Sequence, residues 1–246
     1  MKHTFIFIFC LTVASMMAQA KHVLIYTHNG KGYIHENIPA SVKALGEICK
    51  AQGWTFEASE DPALFTAQNL RKYDCLVFSN TNNETFDTEA QKMAFQQYIR
   101  GGGGFVGIHS ACGSERAWPW FWANLGSKFV RHPKLQPFPI KVIDKNNPAT
   151  AHLPETWAWE DEFYYMNQLN PDIHVLLAGV TTDLEDDKKA EYPGETFGQL
   201  FPLSWVHQFD GGRQFYTALG HKSEYYSDPN FRQHLLGGMK WAMNIK

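Results

Sequence analysis

The feature that most narrows the fold is alternation. Four short runs rich in apolar and β-branched residues, His22 to Thr27, Trp54 to Ala58, Tyr73 to Ser79 and Phe105 to Ile108, are interleaved with two longer stretches of different period. In Pro39 to Gln52 the apolar positions are Val42, Leu45, Ile48 and Cys49, and in Thr88 to Arg100 they include Met93, Phe95 and Ile99. Three- and four-residue spacing belongs to an amphipathic helix. Tyr73 to Ser79 is almost continuously apolar, which suits a strand covered on both faces. A chain that repeats strand and helix in this way is expected to be α/β, a mainly parallel sheet with helices on both faces and right-handed crossovers. Ligands in such sheets bind beyond the carboxyl ends of the strands, so the loops beginning at His28, Asn80 and His109 matter most.

Past residue 118 the periodicity weakens. Trp118 to Glu160 contains six prolines and five tryptophans and reads as a short helix, an extended segment and a long excursion over the sheet. His174 to Ala178, Leu203 to Gln208 and Gln214 to Leu219 read as later strands, Asn230 to Asn244 as a closing helix, and the charged stretch Asp183 to Glu195 as a solvated loop. No repeat or linker divides the chain, so one domain is expected.

Residues 1–20 read as an address rather than as structure. Lys2 and His3 precede the apolar run Phe5 to Val13, and Ala18-Gln19-Ala20 forms a small-x-small cleavage site. The run is too short to span a bilayer. Cys10 follows Phe9, where a lipoprotein signal needs a small residue. The expectation is a cleaved signal peptide over 1–20, an exported, periplasmic product and no membrane insertion after cleavage. With 22 Lys+Arg against 25 Asp+Glu the chain lacks the basic excess that binding a nucleic-acid backbone requires, so no nucleic-acid partner is expected. Cys49, Cys75 and Cys112 lack metal-ribbon or redox spacing and read as small buried hydrophobes.

Gly101 to Gly104 precede a strand instead of following one, so they stop a helix and do not cradle a phosphate. They open the run Gly102-Gly103-Gly104-Phe105-Val106-Gly107-Ile108-His109-Ser110-Ala111. Together with Gly32-Tyr33-Ile34-His35-Glu36-Asn37-Ile38-Pro39, Asp161-Glu162-Phe163-Tyr164, Pro202-Leu203-Ser204-Trp205-Val206-His207 and Gly212-Arg213-Gln214-Phe215-Tyr216-Thr217-Ala218-Leu219-Gly220-His221, it resembles the ThuA-like (trehalose utilisation) family. The resemblance spans nearly all of residues 21–246, read as one ThuA-like domain. It implies a flavodoxin-like sheet related to class I glutamine amidotransferases. Those enzymes carry a nucleophilic Cys on the tight turn after the corresponding strand, where this chain has His109. Glutaminase chemistry is therefore not expected, and Cys112, three residues on, is a weaker alternative nucleophile.

What stands in place of the cysteine is a set of histidines and acids. His109 and Glu162 are the expected acid–base pair, with Glu162 raised in pKa by burial against Phe163-Tyr164-Tyr165. Tyr33, His35, Asn80, Ser110, Tyr164, Trp205, His207 and His221 are the expected substrate-binding residues. One or two of Trp118, Trp120, Trp122, Trp157 and Trp159 are expected to stack on a sugar ring. A divalent metal such as zinc is a further candidate, with His35, His109, His132, Glu162 and His207 as ligands gathered from distant loops, because no His-Glu-x-x-His spacing occurs. The expected function is carbohydrate processing by acid–base chemistry of isomerase, lyase or hydrolase type, on a disaccharide or its keto derivative. The competing reading is a periplasmic sugar-binding protein without catalysis.

Overall fold

The computed structural model describes residues 20–188 and 199–245. All of the expected signal peptide except Ala20, and part of the expected loop at Asp183 to Glu195, lie outside the described residues. The chain runs β1 (His22–Tyr26), α1 (Ile38–Ala51), β2 (Thr55–Ser59), α2 (Ala67–Leu70), β3 (Cys75–Ser79), α3 (Glu89–Arg100) and β4 (Gly104–Ile108). A 3-10 turn, His109–Gly113, leads to α4 (Pro119–Leu125), β5 (Lys128–Arg131), β6 (Gln136–Val142), β7 (Thr156–Asp161), β8 (Tyr165–Asn167) and β9 (His174–Val180). β10 (Leu200–Phe209), β11 (Gly212–Thr217) and α5 (Pro229–Ala242) complete it.

One sheet has the order β2-β1-β3-β4-β11-β10-β9-β6-β7, and β5 pairs with β8 in a separate ribbon. The first five strands are parallel. Their order is that of a flavodoxin-like sheet. β3 and β4 are buried at every residue, as strands covered on both faces must be. α1 packs beside α5, and α2 beside α3. Thr88 and Gln91 form a reciprocal capping box at the start of α3. Among the described residues no helix is long and apolar enough to cross a membrane.

The expectation for Trp118 to Glu160 needs correction. Its second half is not an excursion over the sheet: β6 and β7 extend it, antiparallel, beyond β9. This extension does not stay flat. β11 and β7 are four strand spacings apart, about 19 Å in a planar sheet. Yet the Gly220 N–H, three residues past β11, donates to Asp161 at the end of β7 over 2.8 Å. Three extended residues reach only about 10 Å, so the antiparallel half must coil back over the strand ends. β10 carries register shifts between Pro202 and Ser204 and between Ser204 and Trp205, where such bending is accommodated.

The core also contains one histidine that reports on acidity. His234 of α5 is fully buried, with Nδ1 2.8 Å from the Ala149 carbonyl and Nε2 3.3 Å from Ser204 Oγ. Burial pushes its pKa down to about 4. The folded chain thus holds it neutral, while the unfolded chain takes up a proton below about pH 6.5. Its contribution is complete above that pH and is lost as the pH falls towards 4, on the order of 3 kcal/mol at the end of the window. Urea unfolding at pH 7, 5.5 and 4.5 is expected to show falling stability in the wild type and a shallower fall in His234→Gln.

Candidate functional site

The parallel strands β1, β3, β4 and β11 deliver their loops to one end of the sheet. β4 ends in a sharp elbow at His109, a non-glycine residue at φ 51°. A side chain is rarely held in that left-handed region, and where it is, surrounding contacts must fix it. Here the contacts are explicit. The Tyr216 hydroxyl donates to the His109 carbonyl over 2.8 Å, and His109 Nδ1 lies 2.7 Å from the Ala218 carbonyl. That carbonyl only accepts, so Nδ1 carries the proton and the Nε2 lone pair faces outward. The Tyr164 hydroxyl donates to it over 2.9 Å and the two rings stack.

Around Nε2 the other groups converge. Glu162 Oε2 lies 3.5 Å from His109 Nε2 and 3.3 Å from His221 Nδ1, and Glu162 Oε1 lies 3.5 Å from His132 Nε2. His35 completes the group, its ring edge-on to those of both His109 and His221. One ligand atom each from His35, His109, Glu162 and His221 falls within a set spanning no more than 4.8 Å. They open into a cavity of about 370 Å³ whose walls include Tyr33, Asn82, Ser110, Arg116, Phe129 and Tyr164. A larger depression, about 740 Å³, lies at the opposite end of the sheet around Lys21, Asp74 and Arg213 and contains none of these histidines.

The electrostatics divide the imidazoles. Burial, with the neighbouring His109 and His221, pushes His35 down to about 3, so it is neutral. His221 is raised, chiefly by the Glu162 carboxylate beside it. Burial alone would raise Glu162, but His109 and His221 outweigh it and hold the carboxyl well below the usual carboxylate range. This corrects the expected raised pKa: Glu162 is an ionised carboxylate, suited to bind a cation rather than to donate a proton near neutral pH.

A second carboxylate builds the site without lining the cavity. Asp161 is completely buried and accepts from Trp159 Nε1 at 2.9 Å, Glu162 N at 2.9 Å, Gly220 N at 2.8 Å and His221 N at 3.3 Å. It thereby sets both Glu162 and His221. Asn37, at the start of α1, makes no cap bond to its own helix and donates to Asn80 Oδ1 and to the carbonyls of Gly220 and His221. Gly220 has φ 123°, and a Cβ there would meet the Tyr226 hydroxyl at 2.8 Å.

Of the sequence-derived candidates, His109, Glu162, Tyr33, His35, Ser110, Tyr164, His132 and His221 gather at this cavity. Three do not. Asn80 is buried one layer behind, between Asn37 and Tyr226. Trp205 is buried in the core, donating to the Leu125 carbonyl and packing on Tyr216. His207 pairs with Gln214, which pairs with Phe105 near the start of β4, and its Nε2 contacts the Asn124 carbonyl. It is at the wrong end of the sheet to join the others as a metal ligand or substrate contact.

None of the five tryptophans lines the cavity. Trp118 and Trp120 pack on Phe86 and Phe95, and Trp159 packs on Tyr225 and Phe231, so they serve the core. Cys112 lies buried beneath the elbow, its thiol pushed up to about 12 by burial, and cannot serve as an alternative nucleophile. Asn82, Arg116 and Phe129 were not foreseen. Asn82 follows Asn80 in a loop that the strand-end rule already marked, whereas Arg116 and Phe129 fall in the segment without clear periodicity.

Fold and site define a flavodoxin-like domain whose elbow carries an imidazole in a His/Glu cluster. The chain belongs to the ThuA family, described as trehalose utilisation, whose pattern matches residues 22–242. Two crystal structures of proteins described as ThuA-like share the fold. One, from Bacteroides uniformis, is 23% identical with a TM-score of 0.70 over 94% of this chain and 95% of that one. The other, from Parabacteroides merdae, is 20% identical with a TM-score of 0.71 over 92% and 90%. A cytoplasmic protein from Salmonella typhimurium, 13% identical, has a TM-score of 0.62 over 90% of this chain and 98% of its own. No curated protein matches the chain in sequence.

Replacing Asp161 with Asn leaves a single acceptor oxygen for four N–H donors. Asp161→Asn is expected to lower the unfolding free energy by about 2 kcal/mol in urea titrations. Ser59→Ala, which removes an acceptor for the Asp61 N–H at the exposed end of β2, is expected to change it little.

Proposed function

We propose that this protein acts in trehalose or related disaccharide utilisation as an exported, periplasmic enzyme. Its chemistry is acid–base transfer on a disaccharide or its keto derivative. The observation that carries the reading is the ionised Glu162 carboxylate held 3.3 to 3.5 Å from three imidazoles at one cavity. Family membership supplies the substrate class. The cavity, about 370 Å³, sits at the lower end of the range typical of small-molecule sites, about 300–1,000 Å³. Tyr33, Phe129 and Tyr164 give it flat apolar walls for the C–H faces of a sugar, and Asn82, Ser110 and Arg116 supply polar partners.

A keto sugar is the form on which this arrangement works best. The C–H next to a carbonyl is acidic enough for a carboxylate to remove its proton when the developing oxyanion is stabilised. Glu162 takes that proton. His221, its pKa raised by Glu162, is the donor that faces the oxygen. Return of the proton to the former carbonyl carbon, with loss of the hydroxyl proton at the deprotonated carbon, gives isomerisation; departure of the group on the carbon at the other side of the deprotonated one, protonated as it leaves, gives elimination. Nucleic acid and the membrane surface have no part in this reading.

A proton NMR time course with trehalose, other disaccharides and their 3-keto derivatives tests it. New product signals are expected with the wild type, and Glu162→Gln is expected to slow their appearance by about 10²- to 10⁴-fold while leaving the folded spectrum intact. Saturable line broadening without product would instead make the protein a sugar-binding module. Export is tested separately: expressed with residues 1–20, the protein is expected in the periplasmic fraction with Lys21 as its first residue, and intact protein in the cytosol would remove that part.

A further inference from the structure

We infer that His35, His109, Glu162 and His221 form a zinc site. Two observations carry it. The first is spacing. Zinc bonds of about 2.0–2.2 Å place the ligands of a tetrahedral ion about 3.3–3.6 Å apart. The Glu162 Oε2 distances to His109 Nε2 and His221 Nδ1, 3.5 and 3.3 Å, are already those of tetrahedron edges. All four donor atoms lie within 4.8 Å of one another. Three neutral or neutralisable imidazoles with one carboxylate are a borderline donor set that suits zinc better than magnesium or calcium.

The second observation is that the outer nitrogens of two of the three imidazoles are already engaged. A metal-bound imidazole usually gives its other N–H to a protein acceptor, which fixes the tautomer and ring. His109 Nδ1 does so at the Ala218 carbonyl. His35 Nδ1 lies 3.2 Å from Ser110 Oγ, leaving Nε2 for the centre. His221 Nδ1 is buried and faces Glu162 without the alignment of a hydrogen bond or another partner among the described residues. A cation supplies that partner. It also takes the His109 lone pair to which the Tyr164 hydroxyl now donates. His132, close only to the other Glu162 oxygen, and His207, at the far end of the sheet, are outside the set.

The site shares its cavity with the sugar reading and rests on it only for its role; with zinc bound, Glu162 and His221 are ligands and not the free base and proton donor of the metal-free site, so binding is measured directly. The folded protein is loaded with Zn²⁺, dialysed and assayed for metal content, and titrated with Co²⁺, whose visible absorption is intense when four-coordinate. About one equivalent of zinc is expected. Glu162→Gln and His221→Ala are each expected to weaken binding about 100-fold or more. Ser110→Ala, acting through His35, is expected to weaken it about tenfold. His207→Ala is expected to bind as the wild type does. The inference is overturned by substoichiometric zinc after dialysis, or by binding that Glu162→Gln and His221→Ala leave unchanged. Zinc bound at these residues without turnover of any sugar would keep the site and remove the enzyme reading. Turnover in a protein that binds no zinc would do the reverse.

Discussion

The acceptance of four N–H groups by the buried carboxylate of Asp161 is the interaction on which the site depends. It joins the end of β7, the last strand on one edge of the sheet, to the loop after β11, near its middle. Without this link the coiled antiparallel half would have no reason to stop where Glu162 meets His221. The desolvation of a buried carboxylate is large, and only a full complement of donors offsets it. Two of those donors are the backbone amides of the very residues that face each other in the cavity. Asn37 works from the opposite side, using a side chain that would ordinarily cap α1 to hold the carbonyls of Gly220 and His221. Local helix stability is given up for the geometry of a loop on the other side of the site.

The elbow after β4 follows the same logic. A backbone conformation that disfavours side chains persists at His109 because Tyr216 holds its carbonyl and Ala218 holds its ring. Trp205, behind Tyr216, belongs to this support and not to a ligand surface. The thiol of Cys112 is sealed below the turn, and the groups gathered at this position are imidazoles and a carboxylate. Neutral His35, raised His221 and ionised Glu162 differ because burial and proximity act on them unequally.

Much of this architecture was legible in the sequence where one period dominated. β3, β4 and α3 have unbroken apolar runs or a capping box, and they appear within two residues of their expected limits. β6 was obscured by Pro137 and Pro139. Both fall in the part of β6 paired with β7 alone, since pairing with β9 begins only at Ile140, and there a missing N–H costs no ladder bond. The histidines sorted by strand direction. The turn at Gly211 reverses the chain, so His207, before it, lies at the opposite end of the sheet from His221, after β11. Composition could not reveal that difference. The tryptophans misled because a concentration of flat rings suits a core as well as a sugar, and only packing partners distinguish the two.

The position of β11 has a consequence for how the molecule comes into being. It is the last described strand in the chain, yet it lies between β4 and β10, and among the described strands it alone joins the four earlier parallel ones to the four antiparallel ones. Until residues 212–217 insert, the two halves share no hydrogen-bonded strand, and the loop bearing His221 has nowhere to hang. Such a keystone makes the most distant pairings in the sequence the final ones to form, which slows folding and leaves strand edges open meanwhile. The cavity therefore has no partial existence: a chain released before its last strand holds three of the four clustered residues and no site.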